Sequence, residues 1–107
     1  MRLPPALAAR ATTRILELLG EPPARVLELG FAGIHAEPLR LAGFEVVVVE
    51  PDPAFRERAA QRAGEVFAAP PAGPFDAVIT PEGQEHPSAP RVILVRQDGS
   101  VWSSASS

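Results

Sequence analysis

Two carboxylates stand at the ends of two apolar runs, and they are the first chemistry this sequence offers. Glu28 closes the run beginning at Arg25 and is followed by Gly30 and Gly33, while Glu50 closes Val46–Val47–Val48–Val49. A glycine loop after a strand lets a ligand come close to the backbone. The N-terminus of the next helix favours negative charge, and an acid at the end of the neighbouring strand can accept both hydroxyls of a ribose. The spacing therefore fits an adenosine-type ligand. Each acid also has a purely structural use: Glu50 can cap the turn before Asp52 and Pro53, and Glu28 can orient the loop with no ligand present. His35, within the loop, can touch a ligand or start the helix. His86, near Glu82 and Glu85, is a candidate general base, and the same stretch also reads as a solvated polar loop between prolines. Those three residues have no complementary ligand cluster elsewhere, so no metal site is expected.

The elements that position these groups follow from periodicity and turn chemistry. Pro4 and Pro5 suit the first turn of a helix whose apolar positions are Leu7, Ala11, Ile15, Leu18 and Leu19, ended by Gly20. Residues 25–29 form a strand. A short helix follows, with Pro38 in its first turn, Leu39, Leu41 and Ala42 on its apolar side, and Gly43 as its cap. Residues 45–50 read as a strand apolar on both faces, as a central parallel strand requires. Asp52 and Pro53 start a third helix with Phe55, Ala59 and Ala63 as its buried stripe, closed by Gly64. Short strands are expected around 65–67, at 75–80 and at 91–96. Asp98–Gly99 turns the last of these into a hairpin that sets Trp102 opposite Val95. The tail, residues 103–107, is small and polar and is expected to be disordered.

The 107 residues fit one domain, residues 1–102, and at 46% hydrophobic they can bury a core without disulfides. The absence of cysteine excludes thiol catalysis, cysteine-ligated metals and any disulfide framework. A net charge of -3 with no basic run argues against nucleic acid as an electrostatic partner. No apolar run reaches membrane-spanning length, and the N-terminal stretch is too broken by proline and arginine for a secretory signal. A cytoplasmic protein is the expectation. All ten basic residues are arginine and thirteen residues are proline, which fits a GC-rich genome or a thermophile.

Over residues 1 to about 80, the strand ending in Glu28, the loop and the strand ending in Glu50 resemble the S-adenosylmethionine-dependent methyltransferases of the Rossmann-like class, in truncated and degenerate form. The resemblance implies an α/β fold: a minimal Rossmann-like sheet ordered 3-2-1-4-5 with a C-terminal hairpin. It also implies that Glu28, Gly30, Ala32, Gly33 and Glu50 line a cofactor site, with Glu50 on the ribose hydroxyls. Ala32 and Ile34 stand where the family has its second and third glycines, unless Gly33 takes the third role by a one-residue shift. Both narrow the cradle. Asp76 matches an acid that is usually structural in the family. After the fourth strand, Thr80–Pro81–Glu82–Gly83 replaces the Asn/Asp-Pro-Pro-aromatic motif of the amino-methylating members.

Right-handed crossovers set all three helices mainly on one face of the sheet. Residues 68–74 and 81–90 are too short and proline-rich to hold a helix over the other face. That face is expected to be uncovered and to associate with a second copy or another protein. Three functional expectations follow. The first is a methyltransferase-like domain that binds S-adenosylmethionine or a related adenosine compound weakly, if at all. The second is a non-catalytic module that associates through the helix-free face. The third is a complete small methyltransferase.

Overall fold

A computed structural model describes residues 2–104 and shows an α/β domain. Its elements run α1 (Pro5–Leu19), β1 (Arg25–Leu29), α2 (Ala36–Leu41), β2 (Glu45–Val49), α3 (Pro53–Ala63), β3 (Val66–Phe67), β4 (Ala77–Pro81), β5 (Arg91–Val95) and β6 (Val101–Ser103). The sheet is ordered β3-β2-β1-β4-β5-β6. Every neighbouring pair is parallel except the β5–β6 hairpin. This is the Rossmann-like order that the resemblance implied, with the hairpin strand added at its edge. No helix among the described residues is long and apolar enough to cross a membrane.

The strand period of two sorts the core into two layers. Val26, Val46, Val48, Ala77, Ile79, Ile93 and Val95 face the helices and pack with Ala8, Ala11 and Ile15 of α1, Ala36 and Leu39 of α2, and Ala63 of α3. Their alternate neighbours, Leu27, Leu29, Val49 and Val78, point to the helix-free face. All three helices thus lie on one side. Asp52 starts α3 by accepting the Ala54 N–H at 2.9 Å, and Pro53 follows at the first helical position.

The helix-free face departs from expectation, because its centre is not bare. Leu27, Leu29, Val49 and Val78 are buried together with Phe75, with Phe67 and Ala89 packed against them. Proline-rich segments that cannot form a helix can still lie flat and lend single side chains, and Arg25 fixes one of them. Its backbone N–H donates to Asp76 Oδ2 at 2.7 Å, and its guanidinium donates to the Ala72 and Pro74 carbonyls at 3.3 and 3.1 Å. The same guanidinium stacks 4.6 Å over the Phe75 ring and pairs with Glu45 at 2.7 Å. Asp76 is structural, as the resemblance implied.

Smaller differences have local causes. Leu41 is 81% exposed, because a six-residue helix turns only Ala36 and Leu39 inward. Trp102 pairs with Leu94 rather than Val95 and is 46% exposed. Its side chain therefore shares the helix-free face with Leu94. The polar tail begins later than expected: Ser103 belongs to β6, and the Ser104 N–H donates to the Val92 carbonyl at 2.9 Å. Residues 105–107, the rest of the expected disordered tail, lie outside the described residues.

Candidate functional site

The carboxyl ends of β1 and β2 lie side by side, with Glu28 next to Val48 and Leu29 next to Val49, so the loop after β1 and the turn after β2 meet. Between this loop, α3 and the start of α1 lies a cavity of about 310 Å³. Glu50, Phe31, Ala32 and Ile34 line its sheet side, and Phe55, Arg58 and Arg62 line its α3 side. Arg2 and Leu3 complete it from the N-terminal segment. Phe55, expected in the buried stripe of α3, is 38% exposed and stands at this cavity instead.

Glu50 is 5% exposed and already works for the fold. One carboxylate oxygen accepts the Ala32 N–H at 3.1 Å, and the other accepts the Asp52 N–H at 3.1 Å. It thereby ties the glycine loop to the β2 turn. A carboxylate offers about four lone-pair positions, so these two bonds leave acceptor capacity towards the cavity. Arg56 closes the same turn by donating to the Glu50 and Pro51 carbonyls at 3.0 and 2.8 Å.

The loop residues divide the glycine roles differently from the family pattern. Gly30 has φ +82°, and a Cβ there would come within 2.7 Å of Gln84 Oε1 and 3.3 Å of Pro81 Cδ. The close approach that this glycine permits is therefore taken by the chain's own β4–β5 loop. Gly33 has φ +76°, and its Cβ would meet the Ala63 Cβ at 2.8 Å, so it supplies the close helix packing of a third glycine. Ala32 sits at φ +53° with a side chain, a conformation that costs about 1 kcal/mol. Ile34 is packed against the core and is not a failed glycine position.

Glu28 points to the helix side of β1, beneath the loop, and is not among the residues that line the cavity. It is fully buried, and Oε2 accepts the His35 N–H at 2.7 Å while Oε1 has no hydrogen-bond partner among the described residues. Burial pushes its pKa up to about 7, against the backbone N–H groups of His35 and Gly33, which favour the charged form. His35 is buried beside it, edge-on to Phe31 with ring centroids 4.9 Å apart. Thr12 Oγ donates to the Ala8 carbonyl at 2.9 Å, so His35 Nδ1–H donates to Thr12 Oγ at 2.7 Å and Nε2 is the unprotonated nitrogen. Burial holds His35 down at about 4. Both residues organise the loop from beneath. The sequence pattern did not signal the Thr12–His35 bond, because nothing in a helical period marks one threonine as the partner of a loop histidine.

His86 is not among the residues lining the cavity. It is half-buried and donates Nδ1–H to the Pro87 carbonyl at 2.9 Å. Glu82 turns away to Arg96 at 2.9 Å. Among the described residues, no group of three or more histidine or acidic side chains is placed to hold a metal ion. The chain matches no protein-family model and no curated protein. The arginines of the cavity are what the sequence reading missed. The signal was present in Phe55, Arg58 and Arg62, which lie at i, i+3 and i+7 on one face of α3.

Proposed function

We propose that this chain is a methyltransferase-like domain that binds S-adenosylmethionine or a related adenosine compound weakly, and that it transfers no methyl group. The observation that carries the reading is Glu50: a carboxylate with spare acceptor capacity, at the carboxyl end of β2, on the wall of a cavity at the lower end of ligand-pocket size. Weak affinity follows from the same geometry. Glu50 already holds two backbone N–H groups, and Gln84 fills the approach to Gly30. The absence of transfer follows from positioning. A methyl acceptor must be held in line with the sulfonium, and His86 lies outside the cavity with Nδ1–H directed at Pro87.

Labelled S-adenosylmethionine offered with small-molecule and protein acceptors should give no multiple turnovers. Adenosine should raise the melting temperature in a concentration-dependent way. Turnovers that vanish in His86→Ala would overturn the non-catalytic reading, and a flat melting temperature would overturn the ligand.

One observation favours a second role, association through the helix-free face. Val92 and Leu94 are half-buried there beside Trp102. Light scattering that finds a dimer at micromolar concentration supports this role, and a monomer rejects it.

A further inference from the structure

The cavity beside Glu50 has more positive charge than its setting explains. In a chain of net charge -3, three of the ten arginines line this one cavity, opposite a single carboxylate. That carboxylate is already bound by two backbone N–H groups. Other arginines nearby have structural partners: Arg56 holds the β2 turn, and Arg40 donates to the Ala63 and Val46 carbonyls at 2.6 and 2.9 Å. Arg62 gives one N–H to the Ala32 carbonyl at 3.1 Å and keeps the rest of its fork. Arg58 has no hydrogen bond or ion pair among the described residues, although it follows Arg56 by only two positions. With Phe55 it forms a face of α3 that is aromatic at one end and cationic at the other, and that face is turned to the cavity.

Resting on the reading of Glu50 as a ribose acceptor, we infer that the cavity is a site for a nucleoside monophosphate, with Arg58 and Arg62 holding the phosphate and Phe55 against the base. Three arguments converge on that class. A guanidinium fork matches two phosphate oxygens at once, and Arg58 and Arg62 stand one turn apart on the same face of α3. Two or three guanidinium groups attract a phosphate dianion, a group that uncharged adenosine lacks. A volume of about 310 Å³ suits one nucleotide, not a dinucleotide.

The test is calorimetric titration of the full chain with adenosine 5′-monophosphate, adenosine and inorganic phosphate, repeated in Arg58→Gln. Arg58 is exposed and makes no bond among the described residues, so this variant keeps the fold, which circular dichroism checks. The monophosphate should bind at least about tenfold more tightly than adenosine, as expected for one charge-assisted pairing. Added salt should weaken the monophosphate alone, and Arg58→Gln should bring the two ligands to similar affinity. If adenosine binds and the monophosphate binds no more tightly, the anion site is overturned and the proposed adenosine site stands. If inorganic phosphate binds as well as the monophosphate and adenosine does not bind, the nucleoside part is overturned along with the ribose reading of Glu50. Failure of all three ligands to bind overturns both proposals together.

Discussion

Replacing Glu28 by glutamine should reshape the dependence of stability on pH. The Glu28 carboxyl is fully buried with a pKa raised to about 7 from an ordinary 4.5. The folded state therefore takes up a proton that the unfolded chain has already lost between those values. Stability associated with this group is complete below pH 4.5 and is lost as pH rises to about 7. At about 1.4 kcal/mol for each pH unit, the loss is on the order of 3 kcal/mol. His35 acts in the opposite sense. Its pKa is lowered from 6.5 to about 4, so its contribution is lost as pH falls from 6.5 through 4. Together the two groups give a rise up to about pH 4.5, a plateau to about 6.5 and a fall towards 7. Glu28→Gln keeps an acceptor for the His35 N–H and removes the falling limb. The variant should gain on the wild type by on the order of 3 kcal/mol between pH 4.5 and 7.5, roughly 13 °C in melting temperature for a domain of this size. Any cost of burying the amide is constant across pH, so the slope of the difference is the readout. Urea unfolding at half-unit pH steps measures it. Parallel curves for the two proteins would refute the reasoning, because they would mean that Glu28 titrates as an exposed acid.

Other consequences follow from single contacts. Thr12→Val removes the acceptor of His35 Nδ1–H and leaves a buried donor unpaired, so chemical denaturation should show a loss of about 1–3 kcal/mol. Arg25→Met frees residues 72–75 from the Arg25 side chain while its backbone still holds Asp76, with about 1–2 kcal/mol lost and faster hydrogen exchange at Val78 and Leu27. Ala32→Gly relieves the positive φ and should raise stability by up to about 1 kcal/mol in thermal unfolding, whereas Ile34→Gly opens the core and lowers it.

The strands and helices were legible because their signals are local and redundant, while their order came from the resemblance. Val46 to Val49 reads as a central strand on composition alone, and Asp52–Pro53 and Gly64 bracket α3 independently of tertiary contacts. The cover of the helix-free face was not legible. It depends on Arg25 reaching about fifty positions along the chain to Ala72, Pro74 and Phe75, and a proline-rich stretch carries no periodicity from which such a contact can be read. The site was legible in part. Glu50 stands where the pattern put it, at the cavity, while Glu28 serves the loop from the core side and His86 stands apart. The strain at Ala32 was legible, since a missing glycine in a loop predicts its own conformational cost. The use of Gly30 was not, because a glycine permits close approach without saying whether a ligand or a glutamine side chain makes it.

The central claim, that the cavity beside Glu50 receives an adenosine ligand, is tested most directly by soaking crystals of the protein in adenosine. The account predicts density between Phe55 and the glycine loop, with both ribose hydroxyls within about 3 Å of the Glu50 carboxylate. Density elsewhere on the protein, or a Glu50 carboxylate bonded only to the Ala32 and Asp52 N–H groups at saturating ligand, would contradict it.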